Sequence, residues 1–217
     1  MPRIEIVPVT PLGQNCSLLW DETTGRAVVT DPGGDVPSIL ERIAANKLVV
    51  EAILLTHGHF DHAGGAAELR DRLRAMPGAE AVPLIGPDER DGFLLADLQE
   101  TGMRFGILDG RNVTPDRYLS AGEFLDLAGC RLEVRHVPGH TPGHVVFVDA
   151  DRRFALVGDT LFQGSVGRTD FPYGDGPMLI EAIRQQLLPL PDAMPILPGH
   201  GGSSTIGAEK RGNPFLR

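Results

Sequence analysis

The segment Thr56-His57-Gly58-His59-Phe60-Asp61-His62 constrains this chain more than any other. It packs four metal-capable side chains into six residues directly after the apolar run at 52–55. Imidazole beside carboxylate is the usual ligand chemistry for a borderline cation such as zinc. Three of the seven histidines lie here, a density that packing alone does not explain. A fold that uses them ends a strand near residue 55 and turns the side chains toward a shared point, so the segment reads as half of a two-metal hydrolytic site.

Around that segment the pattern switches between periods of two and of 3.6. Alternation predicts strands over 4–9, 16–20 and 27–30, the last ending at the turn Asp31-Pro32-Gly33-Gly34. Val36, Ile39, Leu40 and Ile43 are spaced for a helix over 36–45. A strand at 52–55, a helix over 66–73 and a short strand at 81–85 follow. Residues 87–121 carry the weakest pattern, with a helix near 93–100, a loop-rich stretch around 106–115 and room for a substrate lid. Alternation returns at 124–127, 131–137, 145–149 and 154–157, hairpin-like repeats that predict an antiparallel sheet. An amphipathic helix over 178–188, with Met178, Ile180, Ile183 and Leu187 as its apolar stripe, precedes a last strand at 195–197. Two halves of similar plan with no linker between them predict a single α+β domain over 1–217, a four-layer αββα sandwich of two face-to-face sheets with helices outside.

Three further places repeat one local signature, a metal-capable residue beside glycine at the end of an apolar run: Pro138-Gly139-His140, Gly158-Asp159 and Pro198-Gly199-His200. Loops at one edge of a rigid sheet are where sites are built. Together with His-x-His-x-Asp-His at 57–62, these positions resemble the metallo-β-lactamase superfamily over essentially the whole chain. Gly158-Asp159-Thr160-Leu161-Phe162 followed by Gly167-Arg168 is similar to the glyoxalase II, or hydroxyacylglutathione hydrolase, branch.

The resemblance implies His57, His59 and His140 on one metal, Asp61, His62 and His200 on the other, and Asp159 bridging them. The cofactors implied are two divalent cations, zinc first and iron or manganese as alternatives, about 3.5–4 Å apart. His136 and His144 are left over; His144 is a candidate donor behind the ligands. Arg168 stands where glyoxalase II enzymes carry a basic residue that meets glutathione, and a guanidinium suits a carboxylate. A salt bridge to Asp170 or Asp175 is its structural alternative, while Lys210 and Arg211 read as a solvated face. The tail at 205–217 has room for only a short helix, whereas full-length glyoxalase II enzymes carry a helical extension that helps to hold glutathione. The match is therefore to a compact subgroup.

The chemistry follows from the ligand set. Coordination lowers the pKa of water from 15.7 towards about 7, which supplies a hydroxide nucleophile, and Asp61 would orient it and take its proton. A thiolate leaving group, with a conjugate-acid pKa of roughly 8.5, departs without an acid. The function implied is thioester hydrolysis of the hydroxyacylglutathione type, S-lactoylglutathione to lactate and glutathione. An iron-dependent persulfide dioxygenase, similar around Gly167-Arg168-Thr169-Asp170, and a lactonase are the alternatives within the superfamily. A β-lactamase fits less well, because Asp159 stands where the B1 and B2 enzymes place a cysteine.

Charge and composition narrow the partners. Acidic residues exceed basic ones by 29 to 20, and no run of Lys and Arg offers a polyanion footprint, so nucleic acid is excluded as a partner class. No stretch is long and apolar enough to span a bilayer, and the alternating start at 1–6 lacks an export signal. Cys16 and Cys130 form no motif and read as buried reduced thiols. The expectation is a cytoplasmic enzyme acting on a small-molecule thioester, with its oligomeric state left open.

Overall fold

A computed structural model describes residues 2–76, 82–151 and 153–217. Its first sheet runs β1 (Pro2–Val9), β2 (Gln14–Asp21), β3 (Arg26–Thr30), β4 (Val49–Leu54) and β5 (Leu84–Ile85) in that order. The second is built from β6 (Phe124–Leu127), β7 (Cys130–His136), β8 (Val145–Asp149) and β9 (Ala155–Gly158). A small hairpin, β10 (Leu161–Phe162) and β11 (Ser165–Val166), stands apart. Beyond β9 the second sheet continues with β12 (Pro195–Pro198) and β13 (Ser204–Thr205).

Adjacent residues on the central strands feed different cores, because a strand points successive side chains to opposite faces. Leu18, Val29 and Ile53 face the outer side of the first sheet, where Val36, Ile39 and Ile43 of α1 (Val36–Ala45) complete an apolar cluster. Leu19, Val28 and Leu54 face inward and pack with Leu132, Val134, Phe147 and Leu156 of the second sheet. Val146, Val148 and Val157 point outward from the second sheet against a further helix. Three apolar layers between four layers of structure are the αββα sandwich expected of the metallo-β-lactamase fold. Phe147 is fully buried at the central layer, where truncation to alanine costs about 3–5 kcal/mol.

Strand direction places one edge of both sheets together. After β4 come α2 (Phe60–Ala63) and α3 (Ala66–Arg74); α1 crosses from β3 to a parallel β4. Along the chain between the two sheets come α4 (Gly92–Leu95) and α5 (Leu98–Arg104), whose Leu95 and Leu98 join the outer cluster of the first sheet. In the second sheet the crossover is α6 (Gly176–Gln186), which returns the chain to β12, parallel to β9. A parallel neighbour requires such a crossover, so the second sheet is antiparallel except at this pair. The C-terminal ends of β3, β4, β7, β9 and β12 therefore open onto one rim.

Several expectations shift in detail. The helix near 93–100 is two short ones, α4 and α5, broken where Asp97 leaves helical geometry (φ −121°) and starts a new turn. The strand expected at 81–85 is confined to Leu84–Ile85, and residue 81 lies outside the described residues. In α6 the buried stripe is Leu179 and Ile183, continued by Leu187, whereas Met178 is exposed. Ile183 and Leu187 keep their expected places; Asp175 caps the helix through the Met178 amide, and Leu179, four residues before Ile183, takes the first place on the sheet. The tail forms α7 (Ile206–Gly212) and one further 3-10 turn. Cys16 and Cys130 are free and buried, and among the described residues no helix is long and apolar enough to cross a membrane.

Candidate metal centre

The rim gathers all seven side chains singled out in the sequence. His57 and His59 lie just beyond β4, where the extended backbone at His59 (ψ 149°) gives way to α2, whose first turn carries Asp61 and His62. His140 follows β7, Asp159 follows β9 and His200 follows β12. His57, His59 and His140 form one group with ligand atoms within 4.8 Å of one another, and Asp61, His62 and His200 form a second. In the first, His59 Nδ1 is 3.1 Å from His57 Nε2 and 3.0 Å from His140 Nε2. In the second, His200 Nε2 is 3.1 Å from Asp61 Oδ2.

Asp159 stands between them. Its Oδ1 is 3.3 Å from His62 Nε2, and its Oδ2 is 3.6 Å from His140 Nε2 and 3.7 Å from His200 Nε2. The glycine before His200 makes this approach possible. A Cβ on Gly199 would lie 2.3 Å from Asp159 Oδ1 and 2.5 Å from His62 Cε1.

The hydrogen bonds behind the ligands fix which nitrogen faces inward. His140 Nδ1 donates to the Arg168 carbonyl at 2.7 Å and His62 Nδ1 to Asp31 Oδ2 at 2.9 Å, which leaves both Nε2 atoms with bare lone pairs. The Thr56 hydroxyl donates to Asp31 Oδ2 at 2.6 Å, so it accepts from His57 Nδ1 at 3.0 Å and bares that Nε2 as well. His59 Nε2 meets the Tyr173 hydroxyl at 2.9 Å and turns its Nδ1 inward. Lone pairs crowded against one another repel unless a cation takes them up. His62 Nε2 and Asp159 Oδ1 are moreover buried without a hydrogen-bond partner, an arrangement that polar groups adopt around an ion. The donor set thus fits a pair of divalent cations.

Asp31, His57 and His62 form a third close group, but its atoms are consumed by the hydrogen bonds through Thr56 just described. That group is the support behind the ligands, the kind of outer contact that sets tautomer and ring orientation.

Electrostatics favour the neutral, ligating form in the first group, whereas in the second, against burial, the two aspartates favour a proton on His62 and His200 that a cation would displace. Burial pushes His57 and His140 down and His59 to about 3, so all three stay neutral, the form that ligates a metal. Burial would also lower His62, but Asp159 and Asp61 outweigh it and raise the group. Burial disfavours ionised Asp61 and Asp159, yet the surrounding histidines hold both carboxylates below their ordinary range.

Several contributors leave little trace in the sequence. Asp31 stands at a strand end as Asp159 does, but its neighbours are Thr30 and Pro32 rather than glycine, and the Pro-Gly-Gly that follows makes it read as part of a turn. Asp91 lies in the weakly patterned segment and is fully buried. It accepts from the Gly58 amide at 2.9 Å, the Thr141 hydroxyl at 2.7 Å and the Gly143 amide, tying the His57–His59 loop to the loop of His140. Tyr173 gives no pattern at all. His144 takes the opposite role from the one expected, accepting the Asp159 amide at Nε2 (3.0 Å) instead of donating. Arg168 pairs with Asp170 at 2.8 Å and lies over the Phe171 ring, with its side chain 62% exposed.

Fold and ligand cluster define a metal-dependent hydrolase scaffold, and the chain belongs to the metallo-beta-lactamase superfamily, whose family model matches residues 9–200. Hydroxyacylglutathione hydrolase GloC of Haemophilus influenzae is 46% identical over 215 residues, covering 99% of this chain and 98% of the relative. Among solved structures, TTHA1623 in a di-iron-bound form superposes with a TM-score of 0.85 at 36% identity, covering 98% of this chain and 100% of the other. The BLEG-1 B3 metallo-beta-lactamase gives 0.88 at 32% identity, with 99% of each chain covered.

Proposed function

We propose that residues 1–217 form one metallohydrolase domain that cleaves thioesters of the hydroxyacylglutathione type, S-lactoylglutathione to lactate and glutathione. The observation that carries the reading is the position of Asp159, its two oxygens directed at histidines of both groups. The name of the 46% identical relative supports the substrate class. His57, His59 and His140 would hold one cation, Asp61, His62 and His200 the other, and Asp159 both. Zinc is the cation proposed; iron is the rival, since TTHA1623 was solved with two.

Bound there, such a pair of cations supplies Lewis acidity and lowers the pKa of water toward neutrality. The protein's own groups do the rest. Asp61 remains ionised and offers a carboxylate oxygen that orients the attacking water and receives its proton. Burial raises the Tyr173 hydroxyl to about 12, and it is engaged by His59, so it is a poor acid for a leaving group. An unaided departure suits a thiolate and not an amine. The Arg168 guanidinium, exposed at the rim, would meet a carboxylate of the thiol part by exchanging its contact with Asp170.

The test is metal analysis together with an activity panel on one preparation: S-lactoylglutathione, glutathione persulfide with oxygen uptake, an acyl-homoserine lactone and nitrocefin. Two metals per chain and thioester hydrolysis without oxygen uptake are expected. One iron per chain with oxygen consumed on persulfide would replace this reading by the dioxygenase, and preferential lactone or nitrocefin turnover would replace it by those activities.

A further inference from the structure

A cleft of about 270 Å³ opens directly off His59. One wall is Phe93 and Leu94 of α4; the other is Phe171, Pro172 and Tyr173. The Phe171 and Tyr173 rings are stacked with centroids 5.3 Å apart, and Phe93 meets Tyr173 edge-on at 5.4 Å. The Phe171 ring also lies 4.9 Å from His59, so the aromatic wall runs unbroken from the ligand cluster into the cleft.

The charges in this cleft are unsuited to glutathione. Its cation, Arg104, is paired with Glu100 on the same helix, and Asp97 adds a carboxylate. A tripeptide with two carboxylates would be repelled there, and its polar groups would lose water against aromatic walls. Arg168 lies over Phe171, with its guanidinium exposed to solvent. The charged arm of a substrate belongs on that solvated side, and the uncharged arm in the cleft.

Resting on the thioesterase reading above, we infer that the cleft is the acyl subsite and that it selects acyl groups bearing an aromatic or comparably bulky apolar substituent. A cleft of this volume holds on the order of nine waters at ~30 Å³ each. The lactoyl group places only three heavy atoms beyond its carbonyl carbon and leaves most of that water in contact with apolar walls. A phenyl ring in place of the lactoyl methyl displaces it and packs against the joined Phe93 and Tyr173 rings.

The experiment compares S-mandeloylglutathione with S-lactoylglutathione on the metal-loaded protein, the thiol arm being the same. The mandeloyl thioester should have kcat/KM higher by about ten-fold or more, the scale on which apolar pockets discriminate. Phe93→Ala removes one wall at a residue that is 51% exposed, and Leu94→Trp fills the cleft. In both, the ratio of the two substrates should collapse toward one, a readout that a general loss of folding does not mimic because it lowers both rates together. Equal rates in the parent protein, or a preference that survives Leu94→Trp, overturn the inference. If neither thioester is turned over, the functional reading fails separately. NMR titration with mandelate against lactate then decides the cleft: shifts at Phe93, Leu94 and Tyr173 with mandelate alone sustain it, and their absence ends it.

Discussion

Replacing Asp31 by asparagine tests whether the support behind the ligands controls which atom of His62 is free to bind a cation. Asp31 accepts three hydrogen bonds, from the Thr56 amide at 2.7 Å, the Thr56 hydroxyl at 2.6 Å and His62 Nδ1 at 2.9 Å. Asparagine keeps the size and tolerates the left-handed backbone at this position (φ 54°). Its carbonyl can retain the Thr56 amide. Its NH2 then occupies the place of Oδ2, facing a hydroxyl that can rotate and an imidazole that cannot. His62 Nδ1 must become an acceptor, and its proton moves to Nε2, the atom directed at Asp159. A cation on that side must first expel the proton.

Loss of such an outer partner costs 10–100-fold in metal affinity, or about 1.4–2.7 kcal/mol. Competition against a chromophoric chelator should therefore show the weaker class of sites in Asp31→Asn shifted by that factor, with the class formed by His57, His59 and His140 moved less. Without metal, one lost charge-assisted bond costs about 1.5–3 kcal/mol, a fall in Tm of several degrees for a chain of this size. If both sites of the variant bind within two-fold of the parent, the tautomer argument is wrong.

Burial raises Asp91 from 3.8 to about 6 against its three hydrogen bonds. An acid whose folded pKa is raised stabilises the fold below its unfolded value and loses that contribution as pH climbs through the folded one. A rise of that size corresponds to about 3 kcal/mol, lost between about pH 4 and pH 7. Denaturation of metal-stripped protein should show the stability difference moving toward Asp91→Asn by that amount over the interval; parallel curves would refute it. Gly199→Ala should displace the Asp159 carboxylate and lower metal stoichiometry below two per chain, read by elemental analysis. Arg168→Ala should raise KM for S-lactoylglutathione about ten-fold while leaving a thioester of an uncharged small thiol within two-fold, and its exposed pair with Asp170 predicts little change in Tm.

Much of the fold was legible because its strands alternate or run continuously apolar and its longer helices keep a 3.6-residue stripe. Helix 36–45 coincides with α1, and strands 124–127 and 145–149 coincide with β6 and β8. The segment 87–121 resisted because its helices are short and its contributions are single residues. Asp91 acts by reaching three donors on distant loops, which leaves no period to detect. In α6 only the start of the apolar stripe differs, Leu179, four residues before Ile183, being buried where Met178 and Ile180 were expected.

Of the candidate centre, the sequence by itself determined which side chains are available: seven metal-capable residues, each at the end of an apolar run beside a turn, in an order that resembles the superfamily. Side-chain chemistry is covalent and local, so it can be read along the chain. Only the tertiary structure decided how those donors are aimed. Asp31, Tyr173 and the Arg168 carbonyl fix the ring nitrogens from 31, 114 and 28 residues away along the chain from their histidines, and an aromatic cleft is assembled beside His59 from two segments far apart in sequence. Hydrogen-bond direction and cavity shape arise from packing between elements, and no spacing along the chain encodes them.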